Sequence, residues 1–195
     1  DPKKKNIEQN TIVITGATSG VGYEVAKMLN KYKPTLVVCG KKETKVQKLV
    51  EELKKTNNDV YGIGEDMSTP EGPGLVFKKI KDMVHKVDIL INNCIIKRGS
   101  HFILSKDESD WIEEFSINVN ANIILSKKIA HRMKIYGIKG RIINISTDAV
   151  KTDSDTYSGS EIITSSVIEK FSNILAKELF KYNIASTVIR IDNDI

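Results

Sequence analysis

Thr15-Gly16-Ala17-Thr18-Ser19-Gly20-Val21-Gly22 is the stretch on which the reading of this chain turns. It follows Thr11-Ile12-Val13-Ile14, a β-branched run that reads as a buried strand. It precedes Tyr23-Glu24-Val25-Ala26-Lys27-Met28-Leu29, whose apolar spacing is that of a helix. A glycine-rich turn between strand and helix has two physical uses. Without a Cβ the backbone comes close to a ligand, and the helix N-terminus turns unpaired N–H groups and a positive dipole end toward a phosphate. A glycine triplet alone carries little weight; the flanking strand and helix are the context it requires.

Outward from that turn the chain alternates. Apolar runs predict further strands at 35–39, 60–64, 88–92, 141–146 and 185–190. Between them, residues 43–55 carry Val46, Leu49, Val50 and Leu53 on one helical face. A Pro/Gly-punctuated turn at 69–74 leads into a helix through about residue 84. The segments 107–136 and 161–182 are long and mostly helical. Strict alternation with apolar strands implies a parallel sheet covered on both faces. Right-handed crossovers then give an α/β, doubly wound sheet with its ligand site at the carboxyl ends of the strands. No linker, repeat or low-complexity stretch divides it, so residues 11–195 read as one domain after a basic lead-in, 1–10.

At 195 residues, 40% hydrophobic and 28% charged, the composition is that of an ordinary globular domain. The net charge of +5 comes from scattered lysines, with one short block at Lys3-Lys4-Lys5. No aromatic-plus-basic stripe accompanies them, which argues against nucleic acid as a partner. Cys39 and Cys94 lie in or beside apolar strands and read as reduced core residues of an intracellular, cytoplasmic protein. No apolar stretch reaches membrane-spanning length. The chain opens on Asp1, which leaves room for a removed targeting segment. His85, His101 and His131 sit on separate elements without ligand spacing, so no metal is expected.

The spacing Gly-x-x-x-Gly-x-Gly after Thr15 differs from the commoner Gly-x-Gly-x-x-Gly and resembles the cofactor loop of the short-chain dehydrogenase/reductase family. Asp66-Met67 resembles that family's Asp-aliphatic pair at the adenine ring. Asn92-Asn93-Cys94 is similar to its Asn-Asn-Ala-Gly, with Asn93 beside the ribose; Cys94 and Ile95 replace Ala and Gly, and Ile95 adds bulk. The segment from Asp110-Trp111 through Phe115 to Asn118-Val119 resembles the one supplying a catalytic Asn. Gly140-Arg141-Ile142-Ile143-Asn144-Ile145-Ser146-Thr147 resembles the strand carrying a catalytic hydroxyl. The likeness runs from residue 11 to about 190. It implies a Rossmann-type domain that binds a nicotinamide nucleotide and moves hydride to or from a small carbonyl or alcohol. The cofactor contacts it implies are Gly16, Thr18, Ser19, Gly20, Val21, Gly22, Asp66, Met67 and Asn93.

Residues just past the second strand select the cofactor in such folds, an acid there favouring NAD. Here they are Gly40, Lys41 and Lys42, and two ammonium groups suit a phosphate, so NADP(H) is favoured over NAD(H). Ser19 stands where many NADP-preferring relatives carry a basic residue, which weakens that preference.

The family's chemistry uses a Tyr with a Lys four residues later, a Ser and an Asn. The Lys favours the tyrosinate. No Tyr followed four residues later by Lys is expected anywhere in the chain, so the pair is read as missing. Tyr157 is followed four residues later by Glu161. A second register, counted back from Phe171, Leu175-Ala176 and Glu178-Leu179, puts Glu161 in the tyrosine place and Ser165 in the lysine place. Asn118, Ser146, Thr147, Tyr157 and Glu161 are therefore the catalytic candidates, with Tyr157 or Glu161 as proton donor. The alternative is a catalytically silent nucleotide binder or a scaffold. Residues 148–155 form an acidic-and-lysine loop expected over the site's mouth. Past the sixth strand the family shows Pro-Gly and a substrate-covering lobe. Here Arg190-Ile191-Asp192-Asn193-Asp194-Ile195 departs from that pattern, an abbreviated carboxyl end that further sequence or a partner chain would complete. Relatives commonly pair through the two long helices, here around 107–136 and 161–182.

Overall fold

In the computed structural model, which describes residues 7–99, 102–147 and 159–191, six short strands form one parallel sheet. They are β1 (Thr11–Ile14), β2 (Thr35–Gly40), β3 (Val60–Gly64), β4 (Ile89–Asn92), β5 (Arg141–Thr147) and β6 (Ala185–Ile191). Their order in space is β3-β2-β1-β4-β5-β6. The chain winds outward from β1 in one direction, then returns to its other side at β4. That reversal opens a crevice at the carboxyl ends of β1 and β4, directly above the glycine-rich turn.

The helices are α1 (Gly20–Asn30), α2 (Glu43–Lys54), α3 (Gly72–Met83), α4 (Glu108–Glu114), α5 (Asn122–Ile135) and α6 (Gly159–Leu179). Successive strand residues face opposite sides of the sheet, which divides the core in two. Val13, Val37, Leu90 and Ile142 pack with Ile80, Leu125, Ile129 and Met133 on one side. Ile12, Ile14, Leu36 and Val38 pack with Ala26, Val46, Leu49 and Leu53 on the other. Ile7, in a 3-10 turn at Ile7–Gln9, rests on the second cluster, so the end of the lead-in is folded onto the domain.

Two elements differ from the sequence expectation. The turn expected at 69–74 gives way to helix at Gly72, because Pro73 stands in the first turn, where its missing N–H costs nothing. The helix expected over 107–136 is interrupted by a π-helical stretch, Phe115–Ala121, joining α4 to α5. Such wide turns are uncommon and cluster at functional sites; this one carries Asn118.

Candidate functional site

A cleft of about 380 Å³ lies along the carboxyl ends of the strands. Its first wall is the glycine-rich turn. Thr15 N–H donates to the Ile91 carbonyl and Ala17 N–H to the Cys39 carbonyl, both at 3.0 Å, pinning the turn between two strands. Gly16 has φ +62°, and a Cβ there would lie 2.8 Å from the Asn93 carbonyl oxygen. Asn93 braces the same turn: its N–H donates to Thr15 Oγ1 at 3.0 Å and its Nδ2 to the Gly16 carbonyl at 3.1 Å. Gly22 packs behind the cleft against Asn93 and Gly16. Gly20, at φ +53°, has no heavy atom within 4 Å of where a Cβ would stand. Ser19 is the N-cap of α1 in extended backbone and its side chain makes no capping bond. The first N–H groups of α1 thus face open space beside a residue without a side chain, which fits a phosphate-bearing ligand.

The next wall is polar. Lys41 Nζ lies 2.8 Å from Asp66 Oδ2, and Asp66 also accepts from Ser68 N–H at 2.9 Å and Ser68 Oγ at 2.6 Å. Burial alone would raise the Asp66 carboxyl pKa; the Lys41 and Ser68 bonds outweigh it and hold it below the usual range. Arg98 Nε meets Glu113 Oε2 at 3.1 Å, with Lys41 4.0 Å from the same carboxylate. Met67 is buried and also lines this end. Lys42 does not line the cleft. It is the exposed N-cap of α2, its carbonyl accepting from Lys45 and Val46 N–H, because the chain turns into the helix immediately after Lys41.

Cys39 and Cys94 also line the cleft. Burial pushes their thiols up to about 12 and about 11 respectively. Both values stand above the ordinary thiol near ~8.5. The unfolded chain therefore loses these protons first, and the two thiols subtract from stability as pH rises past ~8.5. At pH 8 we expect iodoacetamide to leave Cys39, which is 2% exposed, unlabelled until denaturant is added, measured by mass spectrometry. Rapid labelling of Cys39 in the folded protein would contradict this burial.

At the far end stand Thr147 and Glu161. Thr147 Oγ1 is 3.2 Å from Ser165 Oγ, so the serine in the lysine place of α6 touches the hydroxyl of β5. Glu161 is nearly buried, and its Oε2 lies 3.0 Å from Lys97 Nζ. Ser146, next along β5, does not line the cleft; its Oγ meets Glu169, one turn further along α6 than Ser165, at 3.4 Å. Asn118 does not line the main cleft. Its Oδ1 accepts from Ile96 N–H and its Nδ2 donates to the Ile96 carbonyl, both at 2.8 Å, which ties the π-helical stretch to the segment after β4. Tyr157 and residues 148–155 lie outside the described residues. The expectation that no Tyr is followed four residues later by Lys is wrong at one place: Tyr23–Lys27 has that spacing, but on α1. There the Tyr23 hydroxyl bonds Glu52 and the Lys27 ammonium sits 4.9 Å from the ring, and neither residue lines the cleft.

The segment after β4 thus supplies what the sequence reading missed: Lys97 beside Glu161 and Arg98 on the rim. Its position is fixed by Lys106 and Glu114, an ion pair at 2.8 Å with side chains 2% and 0% exposed. Glu114 accepts the Arg98 N–H, and Lys106 donates to the Arg98 carbonyl. Isolated lysines in a connecting segment carry no periodic signal, so nothing in the sequence marked them. Among the described residues no group of three or more His, Cys, Asp or Glu could hold a metal ion, and no helix is long and apolar enough to cross a membrane.

Known proteins are similar to this chain in sequence and in fold. The family profile described as short chain dehydrogenase matches residues 10–191. The uncharacterized oxidoreductase YvaG of Bacillus subtilis is 31% identical over 149 residues, which are 75% of this chain and 54% of that protein. The 3-oxoacyl-[acyl-carrier-protein] reductase FabG of Aquifex aeolicus is 27% identical over 173 residues, 88% of this chain and 68% of that protein. The chain spans about half the length of the Bacillus relatives it matches. The crystal structure of L-sorbose reductase from Gluconobacter frateurii, complexed with NADPH and L-sorbose, superposes with a TM-score of 0.86 at 26% identity, covering 95% of this chain and 70% of that one. The Pseudomonas aeruginosa RhlG/NADP complex, at 21% identity and a TM-score of 0.85, shares the fold over 93% of this chain and 71% of that one. By the profile match across nearly all of its length, and by the sheet order and glycine-rich turn that underlie it, this chain belongs to the short chain dehydrogenase family of oxidoreductases.

Proposed function

We propose that this chain binds NADP(H) in preference to NAD(H) and transfers hydride to or from a small carbonyl or alcohol. The observation that carries this reading is the continuity of one cleft from the open N–H groups at Ser19–Val21 to Thr147 and Glu161. A bound nicotinamide nucleotide supplies the hydride chemistry. The chain's own part is to bind, orient and move a proton. The amides at Gly16–Gly22 hold phosphate, Asp66 and Met67 flank the adenine, and Asn93 meets the ribose while bracing the turn. Lys41 supplies a cation for the phosphate that distinguishes NADP(H); Lys42, outside the cleft, does not. Thr147 Oγ1 hydrogen-bonds the substrate oxygen, and Ser165 orients that hydroxyl. Glu161 takes the hydroxyl proton of an alcohol in the oxidising direction and returns it in the reducing one, with Lys97 fixing its carboxylate. The exposed apolar residues Ile163 and Ile174 on α6 support pairing with a second copy through the long helices.

A second reading, a nucleotide binder without turnover, is favoured by one specific observation: α6 presents Ser165 where the family's chemistry uses an ammonium group. NADPH and NADH titrations followed by nucleotide fluorescence, then NADPH consumption across a carbonyl panel, separate the two. We expect Glu161→Gln to reduce turnover by about 10²–10⁴-fold, the usual worth of a positioned proton donor, and to leave NADPH affinity within about twofold, as uncharged exchange at the far end of the cleft requires. Tight uptake without consumption supports the silent binder. Absence of uptake by folded protein removes both readings and leaves a scaffold, to which the bulk of Ile95 in the cleft would then point.

A further inference from the structure

The cleft occupies the carboxyl ends of the strands, and the opposite end of the sheet takes no part in it. At that opposite end five turns lead from helix to strand: 31–34 into β2, 55–59 into β3, 84–88 into β4, 136–140 into β5 and 180–184 into β6. They carry Lys31, Lys33, Lys55, Lys86, Lys139 and Lys181, and their only acids are Asp59 and Asp88. Both acids are engaged within the chain. Asp59 accepts from Thr35 Oγ1. Asp88 Oδ2 accepts from the Thr11 N–H at 2.9 Å and lies 2.9 Å from Lys86 Nζ.

The lysines have an ordinary explanation, since the carboxyl ends of helices favour cations. The large apolar side chains among them have none. Tyr32 is 52% exposed, Tyr136 64% and Phe180 81%, and Ile135, the last residue of α5, is 64% exposed. Single exposed hydrophobics are common on any surface; gathered at one end of a molecule they mark a contact. β5 and β6 are neighbours, and the Ala185 N–H donates to the Gly140 carbonyl at 3.0 Å, so the turns bearing Tyr136 and Phe180 lie side by side. Lys134 Nζ stands 4.7 Å from the Tyr182 ring and joins them. Between them runs a groove of about 410 Å³ lined by Lys127, His131, Lys134, Lys181 and Tyr182, with Glu178 its one acid.

We infer that this end of the molecule is a docking face for an anionic lipid bilayer, with Ile135, Tyr136 and Phe180 entering the headgroup region and the lysines of the five turns facing the lipid charge. Lysine stems lie along apolar material while their ammonium groups reach the headgroups, and tyrosine suits the same boundary. An acidic protein would also attract the lysines. It would have to supply a fitted pocket for each apolar side chain, because these project from turns and helix ends; a bilayer boundary takes them in without one. The turns follow the strand starts across the sheet at about 4.8 Å per strand, so the charge is presented along an edge and not at a point. The cleft, at the other end, stays open to solution. The inference goes beyond the nucleotide reading and does not depend on it.

Flotation of the whole chain with vesicles tests this, one set of phosphatidylcholine alone and one of phosphatidylcholine and phosphatidylserine in equal parts. The protein should float with the second set and not with the first, and added salt should release it. Lys134→Gln combined with Lys181→Gln should weaken binding about thirtyfold, the worth of two basic residues at an anionic surface. Phe180→Ser should weaken it about tenfold through lost apolar burial. These positions are exposed, so thermal melts of the variants should match wild type. The flotation result should be the same with and without NADPH, whether or not the cleft takes it up. No flotation with the phosphatidylserine set, or equal flotation with both sets, overturns the inference. So does binding that Phe180→Ser leaves unchanged. Tighter binding to poly-glutamate or to polyuridylate than to the vesicles overturns it too, and makes the face a seat for an acidic protein or for nucleic acid.

Discussion

Glu114→Gln is expected to lower the free energy of unfolding by about 3–5 kcal/mol, the usual result of removing one member of a buried ion pair. At roughly 2–4 °C per kcal/mol for a chain of this size, the melting temperature should fall by about 10 °C. The reason is the charge left behind. Lys106 is 2% exposed, and without the Glu114 carboxylate its ammonium has lost its counter-ion in a place water does not reach. The Arg98 N–H loses its charged acceptor in the same step. The pair is not perfectly satisfied even in the intact protein, since Glu114 Oε2 has no hydrogen-bond partner. Lys106→Met combined with Glu114→Gln removes both charges and should therefore recover much of the loss. Urea melts of the three variants measure this, and hydrogen exchange at residues 94–99 shows whether the loss is local to the clamped segment. Single variants within 1 kcal/mol of wild type, or a double variant no better than the worse single, would contradict the account.

That clamp also shows where sequence reading ends. The six strands were legible because Thr11–Ile14, Ile89–Asn92 and their neighbours are β-branched, buried runs separated by helical patterns, and parallel topology follows from the alternation. The glycine-rich turn was legible because its chemistry is local: strand, turn and helix start are contiguous. Ser146 and Thr147 were not told apart, because both meet α6, at Glu169 and Ser165, and only the residue at the very end of β5 reaches the cleft. Nor were Lys41 and Lys42, because the chain changes from strand to helix between them and the direction of each side chain depends on that turn. Lys97, Arg98, Lys106 and Glu114 meet their partners across a connecting segment with no repeat, and the π-helical stretch around Asn118 is one extra residue per turn in a helix that otherwise keeps its pattern. Contacts of that kind belong to tertiary packing.

Gly22→Val should abolish measurable nucleotide uptake, weakening NADPH by at least about a hundredfold, while the chain still folds. Gly22 does not line the cleft, so the effect is indirect and its size comes from what Gly22 packs against. A Cβ there would stand 2.4 Å from both Asn93 Nδ2 and the Gly16 carbonyl oxygen. One of those is backbone, and the other is the side chain that holds Gly16 in place through a 3.1 Å hydrogen bond. Neither yields without moving Gly16, whose φ of +62° already confines the turn to a narrow conformation. Overpacking of this kind costs about 1–3 kcal/mol, a loss that a domain of ordinary stability survives. The N–H groups at Ser19–Val21, by contrast, must converge on one phosphate, and a displacement of about 1 Å takes a charge-assisted hydrogen bond out of range. Gly74→Ala is the matched control. It lies inside α3 with nothing within 4 Å of its new methyl, and exchange of Gly for Ala in a helix is favourable by about 0.5–1 kcal/mol. Fluorescence titration with NADPH and thermal melts of both variants decide the matter. A folded Gly22→Val that binds NADPH as wild type does would mean that the nucleotide is held elsewhere than on the turn from which the whole fold was read.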